Sequence, residues 1–496
     1  MRRFIFGACS TFAALALVAG AAPGCGSDSN EGSSSGSSGD SGPQCVGFGC
    51  SNEGGKIGCI GLECKQVTCD PGVTTTLSGT VLDPAGKVPI YNAIVYVPNA
   101  AVAPITPGVT GCDRCDAQVS GSPVVITQTD VEGKFKLENV PVAPNLPVVI
   151  QIGKWRRQIK VATVNQCANT DLSAGETRLP KNRTEGDIPK IALATGAADP
   201  LQCLLRKMGL DDAEFGAPGS ESRVHLYAGG GYDSGGAKLA QNKFAASVSG
   251  GADFGNAETL WGSVAELKKY DLVLLSCEGT ENDTTQHKPE AAKTAVYTYA
   301  SEGGRVFASH YHHTFFSAAN APAAPADTQK VASWAIPEKQ PPAQGNPATT
   351  AVNSDIVGTF PKAVAMKDWL EKQGALSGGK LPIFDARHNV NAVNVDGLNW
   401  IEAVNPNEGG SKAVQYMTFN TPVGAAEDKV CGRVVFSNLH VGAGEQSGVS
   451  DDPTSAAAFP DGCKTVDLSA QQKALEFMLF DLSSCVQKDD APVLPK

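Results

Sequence analysis

Blocks of positive charge are missing from this chain. Its 40 Lys and Arg residues face 51 Asp and Glu, a net charge of −11. No sustained basic run gathers them, which argues against nucleic acid and anionic membrane surfaces as partners. Trp155-Arg156-Arg157 is too small a cluster to reverse that. After the first apolar stretch no second one approaches the ~20 residues needed to cross a bilayer. The glycines at 229–231 lack the spacing of a dinucleotide or P-loop fingerprint and read as a turn. Cys112-Asp113-Arg114-Cys115 has metal-ligand spacing, but it stands alone in a Pro/Gly-rich loop without histidine partners, so it reads as disulfide-forming.

What is present begins with an export signal. Met1-Arg2-Arg3 gives a positive start, residues 4–18 an apolar run, and Gly20-Ala21-Ala22-Pro23-Gly24-Cys25 a small-residue cleavage site. The residues before Cys25 resemble a bacterial lipobox, which implies a signal peptide over 1–24 and a lipid on Cys25; cleavage after Ala21 is the alternative. Residues 25–44 form a Ser/Gly tether too poor in apolar groups to fold. Gly26 is not the aspartate that often retains lipoproteins in the inner membrane, so an outer-membrane anchor is expected, with the membrane as partner through the lipid.

Fifteen cysteines in an exported chain predict disulfides. Cys45, Cys50, Cys59, Cys64 and Cys69 fall in a Gly-rich segment, 45–72, that reads as a disulfide-stapled module. Cys277 ends an apolar strand and is the expected unpaired thiol. Cys431, Cys463 and Cys485 are expected to staple the C-terminal region, with Cys203 as a fourth member.

Over residues 73–189 short alternating strands are broken by turn residues, which predicts an antiparallel β-sandwich. Thr129-Asp130, Gly133, Phe135, Leu137 and Asn139-Val140-Pro141, preceded by Ser78-Gly79-x-Val81, resemble the carboxypeptidase-regulatory-like domains, a transthyretin-type fold. That resemblance implies a carbohydrate-binding-like sandwich and a glycan or cell-surface polymer as ligand. Tyr96 and Trp155 can stack on a sugar ring or can be core. Arg157, placed by strand alternation on the face of Trp155 and opposite Arg156, is a candidate for acidic glycans.

Over residues 190–488 apolar strands alternate with helices, predicting an α/β doubly wound, flavodoxin-like parallel sheet followed by a short tail, 489–496. Residues 199–209 carry Leu201, Leu204, Leu205 and Met208 at helical spacing, and Ser469 with Gln472 forms a capping box before the stripe Leu475, Met478, Leu479 and Leu482. Three strands end in polar tips: Cys277-Glu278, His310-Tyr311-His312-His313 and His440. Sites in such sheets lie beyond the strand carboxyl ends. Gly303-Gly304-Arg305-Val306 and Gly432-Arg433-Val434, each ending near histidine, resemble the class I glutamine amidotransferase-like superfamily and its ThuA-like branch. His310 stands where those enzymes carry their nucleophilic cysteine, so glutamine hydrolysis is not expected. The chain as a whole resembles large bacterial surface lipoproteins.

Two kinds of site follow. In an extended stretch His310 and His312 project to one side, and with His440 they can hold zinc, Glu278 serving as general base. Cys277 activated by His310 or His440 is the other catalytic arrangement. Tyr311 and His313, with Trp155 and Arg157, are candidates for ligand contact without turnover. No cofactor is firmly implied, zinc being the one these residues allow. Surface binding by a catalytically degenerate domain is the first reading, and metal-dependent hydrolysis the second. Residues 316–350, rich in Ala and Pro, read as a flap or a spacer.

Overall fold

The computed structural model describes residues 58–487, apart from 116–118, 233–235, 283–286, 319–322, 348, 442–450, 452–455 and 465–466. The signal, the lipidation position Cys25, the tether, Cys45, Cys50 and the tail lie outside the described residues. The chain divides into two compact units after Cys50, and everything described belongs to the second. No helix among the described residues is long and apolar enough to cross a membrane.

Eight strands come first: β1 (Thr76–Thr80), β2 (Ile94–Pro98), β3 (Pro123–Gln128), β4 (Lys134–Glu138), β5 (Leu146–Ile152), β6 (Trp155–Val161), β7 (Asn169–Asp171) and β8 (Gly186–Asp187). They form a sheet ordered β4-β1-β7 and another ordered β3-β2-β5-β6-β8, antiparallel except where β1 meets β7. Local sequence explains the pieces. Asp130 accepts from the backbone N–H of Glu132 and Lys134 and so turns the chain into β4, where Phe135 and Leu137 face inward between exposed Lys134, Lys136 and Glu138. Residues from both sheets share one core.

The second part holds one mixed sheet. Its strands are β9 (Ile191–Thr195), β10 (Phe215–Gly216), β11 (Val224–Ala228), β12 (Gly255–Asn256), β13 (Leu272–Leu275) and β14 (Arg305–Ser309). After a separate strand β15 (Ala332–Trp334) come β16 (Val352–Ile356) and β17 (Leu381–Ile383), then β18 (Val390–Val393), which pairs with β15. The sheet is completed by β19 (Gly397–Asn405), β20 (Ser411–Thr421) and β21 (Gly432–Ser437). The order is β10-β11-β9-β13-β14-β21-β20-β19-β16-β17, with β12 beside β11. The half from β10 to β21 is parallel; the half from β21 to β17 is antiparallel. The sequence led us to expect a wholly parallel sheet, and the antiparallel half departs from that. Residues 413–419 of β20 are buried on both faces, so they show no alternation to announce a hairpin with β19.

The last helix, Ala470–Ser483, opens with the expected capping box: Gln472 N–H donates to Ser469 Oγ at 3.3 Å and Ser469 N–H to Gln472 Oε1 at 3.0 Å. Leu475, Met478, Leu479 and Leu482 are buried as expected, and so are Phe477 and Phe480. Those two face the sandwich, Phe477 stacked on Tyr91 at 5.9 Å and Phe480 edge-on to Trp155 at 5.7 Å. The helix lies between the sheet and the sandwich and joins them in one continuous core.

Disulfides reinforce that union. Cys59 pairs with Cys64, Cys69 with Cys167, Cys112 with Cys431, Cys115 with Cys485 and Cys203 with Cys463. Cys277 is the free cysteine among the described residues, and it is buried. Cys203 meets Cys463 within the C-terminal region, but Cys431 and Cys485 do not staple that region to itself. Each reaches back to the Cys112–Cys115 loop. Cys69 leaves its own segment for the sandwich.

Candidate functional site

Cys277, His310 and His440 converge just beyond the carboxyl ends of β13, β14 and β21, and one ligand atom from each lies within 4.8 Å of the other two. Cys277 Sγ is 3.3 Å from His310 Nδ1, and the two imidazole centroids are 5.1 Å apart. The strand tips approach closely because Gly196, after β9, has no side chain: a Cβ there would meet the Cys277 carbonyl oxygen at 2.0 Å. His310 sits at φ 40°, a left-handed conformation rare for a side chain of this size, on a sharp turn directly after β14.

A carboxylate lies close behind each histidine. His310 Nε2 lies 3.1 Å from Glu338 Oε1, which also keeps Glu338 near Tyr311, whose hydroxyl donates to Oε2 at 3.1 Å. His440 Nδ1 lies 2.5 Å from Asp385 Oδ2, and Arg387 pairs with the other oxygen of Asp385 at 2.7 Å. His440 Nε2 has no hydrogen-bond partner among the described residues. Asp199 braces the centre from below: it accepts from Ser309 Oγ at 2.5 Å and from Val441 N–H at 2.7 Å, tying the residue before His310 to the residue after His440. Gln471 of the last helix donates to the His440 carbonyl.

The electrostatics are strongly coupled. Burial favours the neutral Cys277 thiol, but the imidazoles of His310 and His440 outweigh it and hold the thiol well below its usual value. His440 moves the other way: burial opposes its charge, and Cys277 and Asp385 override that and raise it well above 6.5. Asp385, despite burial, is held down at about 2 by His440 and Arg387. Burial lifts Asp199 to about 6 against the pull of His440 and Ser309.

Not every expected residue joins. Residues 310–315 form a tight 3-10 turn, not an extended stretch, so His310 and His312 diverge. His312 places Nε2 2.9 Å from the Ser276 carbonyl oxygen, and burial pushes it down to about 3, a neutral ring outside the trio. Cys277, not His312, is the third member. Glu278 is no general base toward the centre. Its carboxylate is engaged by Lys288 Nζ at 2.6 Å and by the Gly230 N–H at 2.6 Å, and Lys288 holds it down at about 2 against burial. His313 is occupied by Ser317 and Glu281. Tyr311 stands half-buried at the rim with Glu338, Asp385 and Arg387.

The sandwich candidates fare differently. Trp155 is 3% exposed against Phe480, and Tyr96 is fully buried, so neither ring offers a face to a sugar. Arg157 spends its guanidinium on the carbonyl oxygens of Arg178 and Gly175, and Arg156 is buried against Asp187. β6 is covered on both faces at its start, which defeats the alternation argument.

Asp199, Glu338, Asp385 and Arg387 were not legible in the sequence. Asp199-Pro200 before a helix was a faint signal. Glu338 lies in the Ala/Pro-rich stretch, whose described part forms a wall of the site: Trp334 packs edge-on against Phe436 at 5.3 Å and Glu338 reaches His310. A Cys-His-His trio with carboxylates behind both imidazoles is the donor set of a zinc site with three protein ligands. The described residues fit that metal.

No protein-family model matches the chain, and no curated protein matches it in sequence. Among solved structures, the major pilin subunit BcpA of Bacillus cereus is 16% identical, with 22% of this chain covered and a TM-score of 0.14; the chain spans 30% of the pilin's length. A cytoplasmic protein from Salmonella typhimurium is 11% identical over 53% of this chain and 91% of its own, with a TM-score of 0.27. A type II cohesin–X-dockerin complex from Acetivibrio cellulolyticus is 15% identical over 28% and 74%, with a TM-score of 0.14.

Proposed function

We propose that the chain is an exported, lipid-anchored metallohydrolase of the bacterial cell envelope, its centre formed by Cys277, His310 and His440. The observation that carries this reading is the convergence of three donor atoms from three strand tips, with Glu338 and Asp385 behind the two imidazoles. Among the described residues three donors converge, the number of protein ligands found in catalytic zinc sites, whereas structural sites close with four. Zinc supplies Lewis acidity, which polarises a carbonyl or lowers the pKa of a water molecule. The chain's own residues hold the donors: Glu338 fixes the His310 ring, Asp385 fixes His440, and Asp199 holds both tips in register. Arg387 and Tyr311 hold the two carboxylates, Arg387 pairing with Asp385 and Tyr311 donating to Glu338.

Several features support the wider assignment. The five disulfides among the described residues are compatible with an extracytoplasmic location. With the two-residue strands β10 and β12 set aside, the order β11-β9-β13-β14-β21 supports the flavodoxin-like reading. His310 lies in a left-handed conformation on a sharp turn directly after β14, which supports the reading of an amidotransferase-like domain turned to metal chemistry. Glycan capture through Trp155 and Arg157 loses support, because both side chains are already committed. Cys277 as a nucleophile is favoured by its contact with His310, and its burial, shared by His310 and His440, bears on both readings alike.

Elemental analysis of the full-length protein, purified from an oxidising compartment, tests the proposal. We expect about one zinc per chain, lost when His310 and His440 are both replaced by alanine, and hydrolysis of model esters or amides that stops on chelation and returns with zinc. A metal-free protein, or hydrolysis indifferent to chelation and abolished by Cys277→Ser, would replace this reading with the thiol one.

A further inference from the structure

A second site lies at the seam between the sandwich and the sheet-bearing part. A cavity of about 500 Å³ opens there among the turn that carries Asp83 and Lys87, the end of the helix Leu201–Lys207, Gln373 after the helix Pro361–Lys372, and the start of the last helix. That volume is in the range of small-molecule sites. Its charged lining is Lys87, Arg206, Lys207 and Lys473 against Asp83 and Asp467. In a chain of net charge −11, four cations converging from three separate elements depart from the general surface.

The cations are held in place and keep donors to offer. Arg206 spends Nε and Nη2 on Asp212, at 2.7 and 3.3 Å. Lys473 gives one hydrogen bond to the Gln373 carbonyl at 2.9 Å, leaving two of its three N–H groups. Lys87 meets Asp467 at 2.5 Å, but both side chains are more than half exposed, and such a pair yields readily to a better acceptor. Lys207 is locked in a buried pair with Asp451 and serves as wall. Asp83 accepts from the backbone N–H of Lys87 and Val88, so its Oδ1 is turned to the chain itself. We infer that this cavity is a binding site for a phosphate-bearing ligand of headgroup size, recognised by Lys87, Arg206 and Lys473. The phosphate can belong to a soluble sugar phosphate or to the headgroup of an envelope lipid.

Titration calorimetry of the full-length protein at low ionic strength decides it, with inorganic pyrophosphate, glucose 1-phosphate and glycerol phosphate as probes. We expect pyrophosphate to bind with an affinity that falls steeply with salt. The double substitution Lys87→Ala, Lys473→Ala should weaken it about tenfold or more through loss of two charge-assisted contacts, whereas Lys473→Arg should keep it. Cys277→Ser should bind like the parent, which separates this cavity from the histidine centre. Tighter binding of glycerol phosphate assigns a headgroup, and tighter binding of glucose 1-phosphate a sugar. No heat from any probe, or binding unchanged in a double variant that melts like the parent, overturns the inference.

Discussion

At the scale of single residues, the centre depends on side chains that never reach the reacting atoms. Asp385 holds the His440 ring, so Asp385→Asn should weaken zinc binding about 10- to 100-fold, read by competition with a chromophoric chelator, with the melting temperature little changed. A second residue-scale prediction concerns Asp83 and Glu476, buried acids at the junction. Burial raises Asp83 from 3.8 to about 6 and lifts Glu476 well above 4.5, with Asp83 beside it adding to the rise; Lys87, Lys473 and Arg178 are the cations that face them. Both acids bind protons more tightly in the folded chain than in the unfolded one. Their contribution is therefore fully present below about pH 4; that of Asp83 is lost as pH rises through 6, and that of Glu476 begins to be lost above its ordinary 4.5. For Asp83 alone the loss is of order 3 kcal/mol. Glu476→Gln should stabilise the protein at pH 7 and flatten its stability between pH 4 and 7, measured by denaturant unfolding. A loss of stability at pH 7 would count against this account.

At the scale of elements, what was legible followed from local pattern. The capping box at Ser469, the stripe on the last helix, and the strands ending at Cys277, His310 and His440 all carry short-range signals, and all are present. Ser469→Ala should cost about 1 kcal/mol, seen as a lower urea midpoint with unchanged slope. Three things were illegible because they depend on packing between distant segments. The β19–β20 hairpin stayed hidden because residues 413–419 of β20 are buried on both faces and show no alternation. His312 parts from His310 because the chain coils after β14, and nothing in His-Tyr-His-His announces a turn. Trp155 read as core or as a sugar-stacking ring, and it is core, but the helix that covers it, with Phe480 as its neighbour, lies more than 300 residues away in sequence. The cysteine pairs were beyond reach for the same reason, since spacing says nothing about partners 319 or 370 residues away.

At the scale of the whole molecule, the two parts are joined by the last helix, a continuous core and two bonds from the Cys112–Cys115 loop. A single cooperative transition is therefore expected in calorimetry of the oxidised protein. Removing one tie by Cys112→Ser with Cys431→Ser should lower stability by roughly 3–5 kcal/mol, given the length of loop it closes, and the residual transition should broaden. Those same bonds bear on how the protein is made. If the chain is exported amino end first, as the proposed location implies, Cys112 and Cys115 meet an oxidant while Cys431 and Cys485 are still on the other side of the membrane. For that interval the two thiols are each other's nearest partners, and the bond they form together must be undone before either native one can exist. Production of this protein thus calls for a disulfide-shuffling catalyst as well as an oxidant, and a secretion host without one should accumulate chains closed at the wrong pair.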